Sequence, residues 1–353
     1  MMKAVTVGSA TVDIIAAVRS DDIERMTLHN VTASFLLLEP GRKVDAEAIT
    51  THTGGGAVNA AVSLARQGFE VAALVKLGRD LNAEKILERF DEEGISRRLV
   101  SRHASELTAV SVMISSHERN AAIFTHRGAN GFLMDADVPP AAFEGAALVY
   151  VTNLSNDSAE RFPDIVARAK AAGAFVTANP GILQLTRRTA AFFDSLGQVD
   201  LFICNFQEAR ALLPALVDRT GWEKKASARS PGIGPTLAIE GFKLSLGEYA
   251  ERLQGLGPRY IGVTNGADGA YVFDGTVLHH QPALPVEVMG TAGAGDAFAS
   301  TLAGALVRDL GIERAAHLAA VNAASVVGQI DAQSGLLRQE ALLAWAGVEL
   351  TVA

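Results

Sequence analysis

The sequence predicts an α/β protein with a largely parallel sheet covered by helices on both faces, and three observations carry that expectation. Short β-branched runs alternate with Ala-rich stretches of helical character along most of the chain. With 353 residues, 49% hydrophobic and 20% charged, the chain can bury a large core. Several helical stretches also open on recognisable start signals, such as Ser245 and Glu248 at the S-x-x-E spacing of a capping box. In order, the strands are expected at 4–8 (AVTVG), 71–78, 147–153, 174–180, 201–205 (LFICN), 260–266 and 270–275. Helices are expected at 57–67, 83–93, 159–172, 245–254, 296–309 and 313–327. Two regions break the alternation. Residues 31–53, around a Pro40-Gly41 turn, and 107–127 read as strands of a small β-flap, whereas 214–241 mixes Gly, Pro and basic residues and reads as a long, mobile loop.

Composition excludes several functional classes. The 33 glycines and 11 prolines are an ordinary globular proportion, so neither disorder nor a fibrous repeat is expected. A net charge of −8 gives no long-range field to gather a phosphodiester backbone, which excludes nucleic acid as an expected partner. Cys204 is the only cysteine, so no intrachain disulfide and no Cys-based zinc site can form; it reads as a buried thiol in an apolar strand, and a reducing cytoplasm is expected. The start, MMKAVTVGSATVDIIA, lacks the apolar run of a signal peptide, and even the stretch 297–307 is interrupted by Ser300, Thr301 and Gly304, so no membrane association is expected. The eight histidines show no metal-binding spacing, and His279 and His280 point to opposite faces of a strand.

Five clusters can carry chemistry. Thr291–Asp296 (TAGAGD) follows the strand-like PVEVM and opens an Ala-rich helix. Small residues at Ala292, Gly293, Ala294 and Gly295 let successive N–H groups face one point at a helix N-terminus, and Asp296 is placed to accept a hydroxyl proton beside that anion cradle. The same residues also describe a Gly-rich turn with an acidic side chain favoured by the helix dipole. Gly54, Gly55 and Gly56 precede a helix carrying Asn59, and Asp13 follows the first strand; this is either a polyol site or a helix-entry loop with a solvated carboxylate. Asn205 and Glu208 have capping-box spacing, or alternatively serve phosphate oxygens and, through water, Mg2+. Thr264, Gly266 and Gly269 in TNGADGA are either a hairpin turn or part of a ligand site. Arg127, beside Asn130 in HRGAN, belongs either to a surface turn or to a substrate mouth.

Taken in chain order, GSATVD (8–13), GGGAVNAAVSLARQG (54–68), LGRD (77–80), RGAN (127–130), ANPG (178–181), NFQE (205–208), TNGADGA (264–270) and TAGAGDAF (291–298), with the late helix bearing Asn322, resemble the ribokinase-type, or PfkB, sugar kinase family over nearly the whole chain. The resemblance implies a ribokinase-like three-layer α/β/α fold with a mostly parallel central sheet and a β-flap lid, one domain over 1–353. It implies that Asp13, Gly55 and Asn59 hold the sugar, that Asp296 is the general base, and that the N–H groups of 292–295 form an anion hole. Asn205, Thr264, Gly266 and Asn322 would serve the nucleotide, with Glu208 reaching Mg2+ through water. The implied reaction is in-line transfer of the γ-phosphoryl group of MgATP to a hydroxyl of a free sugar, catalysed by positioning and charge stabilisation.

The competing reading within the family is a nucleoside kinase, for which Phe35 and Phe124 would supply an apolar slot; the G-A-N of ribokinases in HRGAN favours a free sugar. A phosphorylated sugar is disfavoured because Gly56 stands where some relatives carry Lys. A dinucleotide oxidoreductase fails on spacing, since Gly290, Gly293 and Gly295 do not make G-x-G-x-x-G. One departure is Gly290, where the family usually carries Asp; with Glu287 expected on the opposite strand face, little dependence on a monovalent cation is expected. The apolar run Phe35–Leu38 of the flap leads to the expectation of a homodimer, which light scattering at micromolar concentration checks.

Overall fold

A computed structural model describes residues 1–18, 24–27, 34–37, 41, 43–116, 121–221, 234–239 and 241–347. Its main sheet has nine strands. Tyr260–Thr264, Leu201–Asn205, Phe175–Ala178, Ala146–Val151, Lys3–Val7, Glu70–Leu77 and Val100–Arg102 lie side by side in that order, all parallel, and Ala270–Phe273 and Leu278–Gln281 extend the first edge antiparallel. Successive side chains of a strand face opposite ways. Val5, Val7, Val149 and Val151 therefore enter one core with helices Phe162–Ala171, Phe206–Thr220 and Leu246–Gln254, while Ala4, Leu148 and Tyr150 enter the other with Gly56–Arg66, Ala294–Leu306 and Ile312–Val327. The result is the three-layer α/β/α arrangement that the alternation predicts.

A second sheet forms the lid, with strands Ala46–Gly54, Thr11–Val18, Ala109–Ser116 and Ala121–His126 in that order. Three of these come from the two regions that break the alternation. The fourth, Thr11–Val18, was not among the expected strands; only three residues separate it from Lys3–Val7, and they carry the chain out of the body sheet and into the lid. Ser34–Leu37 does not join the lid but pairs with Glu24–Thr27. Leu38 and Pro40, and the side chains of Phe35–Leu37, lie outside the described residues.

The expected loop at 214–241 is corrected. Helix Phe206–Thr220 runs through Pro214, and Thr236–Ile239 forms a hairpin with Phe242–Ser245. A proline inside a helix costs about 3 kcal/mol. Leu212, Leu213, Leu216 and Val217 are all buried in the same helix, and each contributes roughly 1.5–3 kcal/mol on burial, so packing outweighs the break. The intervening 222–233 lies outside the described residues. The strand-like PVEVM is also corrected: residues 282–290 carry no strand, so the face argument for Glu287 lapses. Helices Ile182–Arg187, Thr189–Ser195 and Gln339–Ala346 were not anticipated. Among the described residues no helix is long and apolar enough to cross a membrane.

Candidate active site

Open α/β sheets leave a crevice at the carboxyl ends of their strands, at the point where the strand order reverses. Here Lys3–Val7 lies between Glu70–Leu77 and Ala146–Val151, and the residues that follow the strands converge there: Ser9, Thr152, Asn153 and Asn179. With the lid residues Thr11, Asp13, Ser111 and Thr125 above them, they line a cavity of about 390 Å3. Gly55, Asn59, Glu208, Arg127 and Asp296 also line it, so the cavity is predominantly polar.

Helix Ala294–Leu306 starts at Gly293, whose φ of 79° is left-handed. A methyl group at 293 would lie 2.7 Å from Ala332 Cα and 2.8 Å from its carbonyl oxygen, so the turn exists only because this residue is glycine. Asp296 occupies the first helical turn, where the helix dipole favours a carboxylate. Burial nevertheless pushes its carboxyl above the ordinary range, against a hydrogen bond from Asn59 that lowers it. Space above Gly295 is open, whereas the Ala294 N–H already donates to the Thr291 carbonyl at 3.4 Å.

The orientation of Asn59 is fixed from a distance. Asn59 Nδ2 donates to Asp296 Oδ2 at 2.8 Å, and Asn59 Oδ1 accepts from Gln333 Nε2 at 2.9 Å. Gln333 Oε1 in turn accepts from Arg89 Nε at 3.1 Å and from Thr53 Oγ1 at 2.9 Å. Arginine can only donate, so its contact sets which end of Gln333 is the acceptor, and each later amide follows. Arg89 is anchored by Glu93, and Gln333 is presented by a turn in which Asp331 Oδ1 accepts from the N–H groups of Gln333 and Ser334.

The other expected residues divide. Asp13 stands on the lid strand Thr11–Val18, opposite His52, and not in a solvated loop. Burial raises its pKa, Ser111 and His52 lower it, and Asp296 and Asp331 raise it. Asn205 and Glu208 do form the capping box, with both hydrogen bonds at 2.9 Å. Glu208 also lines the cavity, and its pKa is raised by burial and by Asp296 against the Asn205 N–H. Asn205 and Thr264 are register partners on adjacent strands, and Gly266 turns the hairpin beside them on the exposed rim. Asn322 is corrected: it is wholly buried, donates to Thr301 Oγ1 at 2.8 Å and accepts from the Leu337 N–H at 2.9 Å, so it ties two helices and a loop and does not line an open site. Cys204 is buried, as expected. Gln333 escaped the sequence reading, because nothing in its neighbours distinguishes it from a surface glutamine.

A lidded cavity at the strand C-termini, with a helix N-terminus and a buried carboxylate at its floor, defines a class of α/β enzyme that acts on small polar ligands. The chain belongs to the pfkB family of carbohydrate kinases, whose profile matches residues 1–339. Among curated proteins it is 25% identical over 281 residues to the ATP-dependent ribose-1-phosphate kinase of Halopiger xanaduensis, covering 80% of this chain and 82% of that one. It is 26% identical over 318 residues to the deoxyribokinase of Salmonella typhi, covering 89% and 93%. The fold matches that of Arabidopsis thaliana ribokinase, solved with ribose and ATP, with a TM-score of 0.73 at 20% identity over 99% of this chain and all of that one.

Proposed function

We propose that the protein transfers the γ-phosphoryl group of ATP to a hydroxyl of a sugar, in the cytoplasm, as one kinase domain whose lid covers the acceptor. The observation that carries this reading is the position of Asp296, which belongs both to the polar cavity and to the first turn of the helix that begins at Gly293. Asn59 occupies Oδ2, which leaves Oδ1 to receive the hydroxyl proton. As the sugar oxygen bonds to the γ-phosphorus, the bond to the bridging oxygen breaks, ADP leaves, and the N–H groups of 292, 293 and 295 take up the developing charge. Asn205, Thr264 and Gly266 at the strand ends are placed to hold the nucleotide. Mg2+ would neutralise phosphate charge, and Glu208 is a suitable hard oxygen donor for its water shell, with phosphate and water supplying the other ligands.

A sugar is favoured over a nucleoside because no aromatic side chain lines the cavity among the described residues; Phe124 is exposed and lies outside it. Dependence on a monovalent cation is proposed to be weak, since a side chain at Gly290 would sit 2.8 Å from the Gln329 carbonyl oxygen. ADP release with a panel of pentoses, hexoses and nucleosides tests the reading; turnover confined to nucleosides, or absent throughout with ATP, overturns it.

The same mechanism assigns Gln333 a positioning role. Gln333→Leu frees the Asn59 amide to flip, so kcat should fall about 10- to 100-fold, the size of a lost hydrogen bond to a carboxylate. A general base works only when deprotonated. Losing the Asn59 N–H raises the Asp296 pKa further, so the acid limb of the kcat/KM profile should move to higher pH. A limb that stays in place would remove the relay from the argument.

A further inference from the structure

Arg127 lines the cavity as the only Lys or Arg among its lining residues, and the structure fixes it there from both sides. It directly follows the lid strand Ala121–His126. Gly128 comes next with a φ of 43°, against the Leu107 carbonyl, which accepts from the Ala129 N–H at 2.8 Å. The backbone at 127 is thus pinned where the lid meets the body, and Arg127 Nη1 donates to Ser155 Oγ at 3.1 Å. Ser155 is itself buried. Asn130 is committed to the backbone: its amide clamps Ala10 through both its oxygen and its nitrogen at 3.0 Å.

Among the described residues the charge on Arg127 has no counter-ion. A guanidinium carries five N–H donors, and among the described residues its one recorded partner is a neutral hydroxyl, with no carboxylate within ion-pair distance. The three cavity carboxylates do not serve it either. Asp13 responds to His52, Asp296 and Asp331, Glu208 to Asp296, and Asp296 to burial and Asn59. A second donor lines the same cavity: Asn153 Oδ1 is occupied by Ser9 Oγ at 2.8 Å, which leaves its Nδ2 without an acceptor among the described residues. The planar fork of an arginine matches a carboxylate or a phosphate, and such pairs are the strongest hydrogen bonds a site of this kind makes.

Resting on the kinase reading above, we propose that the acceptor sugar carries an anionic group, a carboxylate or a phosphate ester, which Arg127 binds with help from Asn153. Gly56 does not oppose this. A side chain there would overlap Thr152 Oγ1, so the absence of Lys at 56 reflects packing and not the charge of the substrate.

The test compares a pentose, its aldonic acid and its phosphate esters in ATP-dependent ADP release, with calorimetric binding of each compound measured in the absence of nucleotide. One anionic form should exceed the neutral sugar in kcat/KM by about 10- to 100-fold, the size of a hydrogen bond to a charged group. Which anion wins separates carboxylate from phosphate. Arg127→Gln should lower kcat/KM for the anionic acceptor about 10- to 100-fold more than for the neutral sugar, Arg127→Lys should restore part of that difference, and Ser155→Ala should weaken it severalfold. Binding of an anion that depends on Arg127 without ADP release would uphold the inference and sink the kinase reading. Phosphorylation that favours the neutral sugar would do the reverse. Failure of every anion to bind, or an equal effect of Arg127→Gln on neutral and anionic acceptors, overturns the inference.

Discussion

Asp296→Asn lowers kcat by roughly 10² to 10⁴, with a much smaller change in KM for the acceptor. In barrier terms that is about 2.7 to 5.5 kcal/mol. The substitution keeps the shape of the side chain and leaves an amide oxygen to accept from Asn59 Nδ2, so the relay through Gln333 survives and the protein folds. What is lost is the proton acceptor. The pH profile gives an independent sign. Because burial holds the Asp296 carboxyl above its usual range, wild-type kcat/KM should fall as pH drops through that raised pKa, where the base becomes protonated. The variant lacks a titrating group at this position and should lose that limb. Near wild-type turnover in the purified variant, or an unchanged acid limb, would exclude Asp296 as the base.

The second large effect concerns the turn at the helix start. Gly293→Ala should lower kcat by about 10² to 10³, the range seen when one preorganised donor to a developing oxyanion is removed. Two penalties act together. A residue other than glycine resists a φ of 79°, and its methyl group would press on the backbone of Ala332, which cannot rotate away as a side-chain tip would. Moving Ala332 also moves Gln333, the next residue, and with it the Asn59 amide. Gly197→Ala serves as the control, since a methyl group there meets no atom within 4 Å. Turnover in the Gly293 variant within threefold of wild type, with an unaltered melting temperature, would show that the turn does not set the donor geometry.

The parallel sheet and the helix starts were legible because they rest on local patterns: apolar runs of strand length, Ala-rich helical stretches and capping residues three apart. The fate of Pro214 was not. A proline amid basic residues reads as a loop, and only the burial of Leu212, Leu213, Leu216 and Val217 against the sheet shows why the helix continues. Thr11–Val18 was missed for a related reason, since its hydrogen-bond partners Ala46–Gly54 and Ala109–Ser116 lie tens of residues away and no window around Asp13 contains them.

The sequence by itself determined which residues had special backbone or chemical requirements: the glycines at 55 and 293, the carboxylates at 13, 208 and 296, and the amide at 59. All but Asp13 sit in short runs whose composition already implies a tight turn or a helix N-terminus. Only the tertiary structure decided what these groups face. Asn59 meets Asp296 across 237 positions of chain and Gln333 across 274. Asn322 turns inward to bond Thr301 and Leu337, and Arg127 settles on Ser155 with no carboxylate beside it among the described residues. Such pairings are set by how the layers close on one another, because an amide or a guanidinium takes its role from the one partner whose geometry and charge it must match.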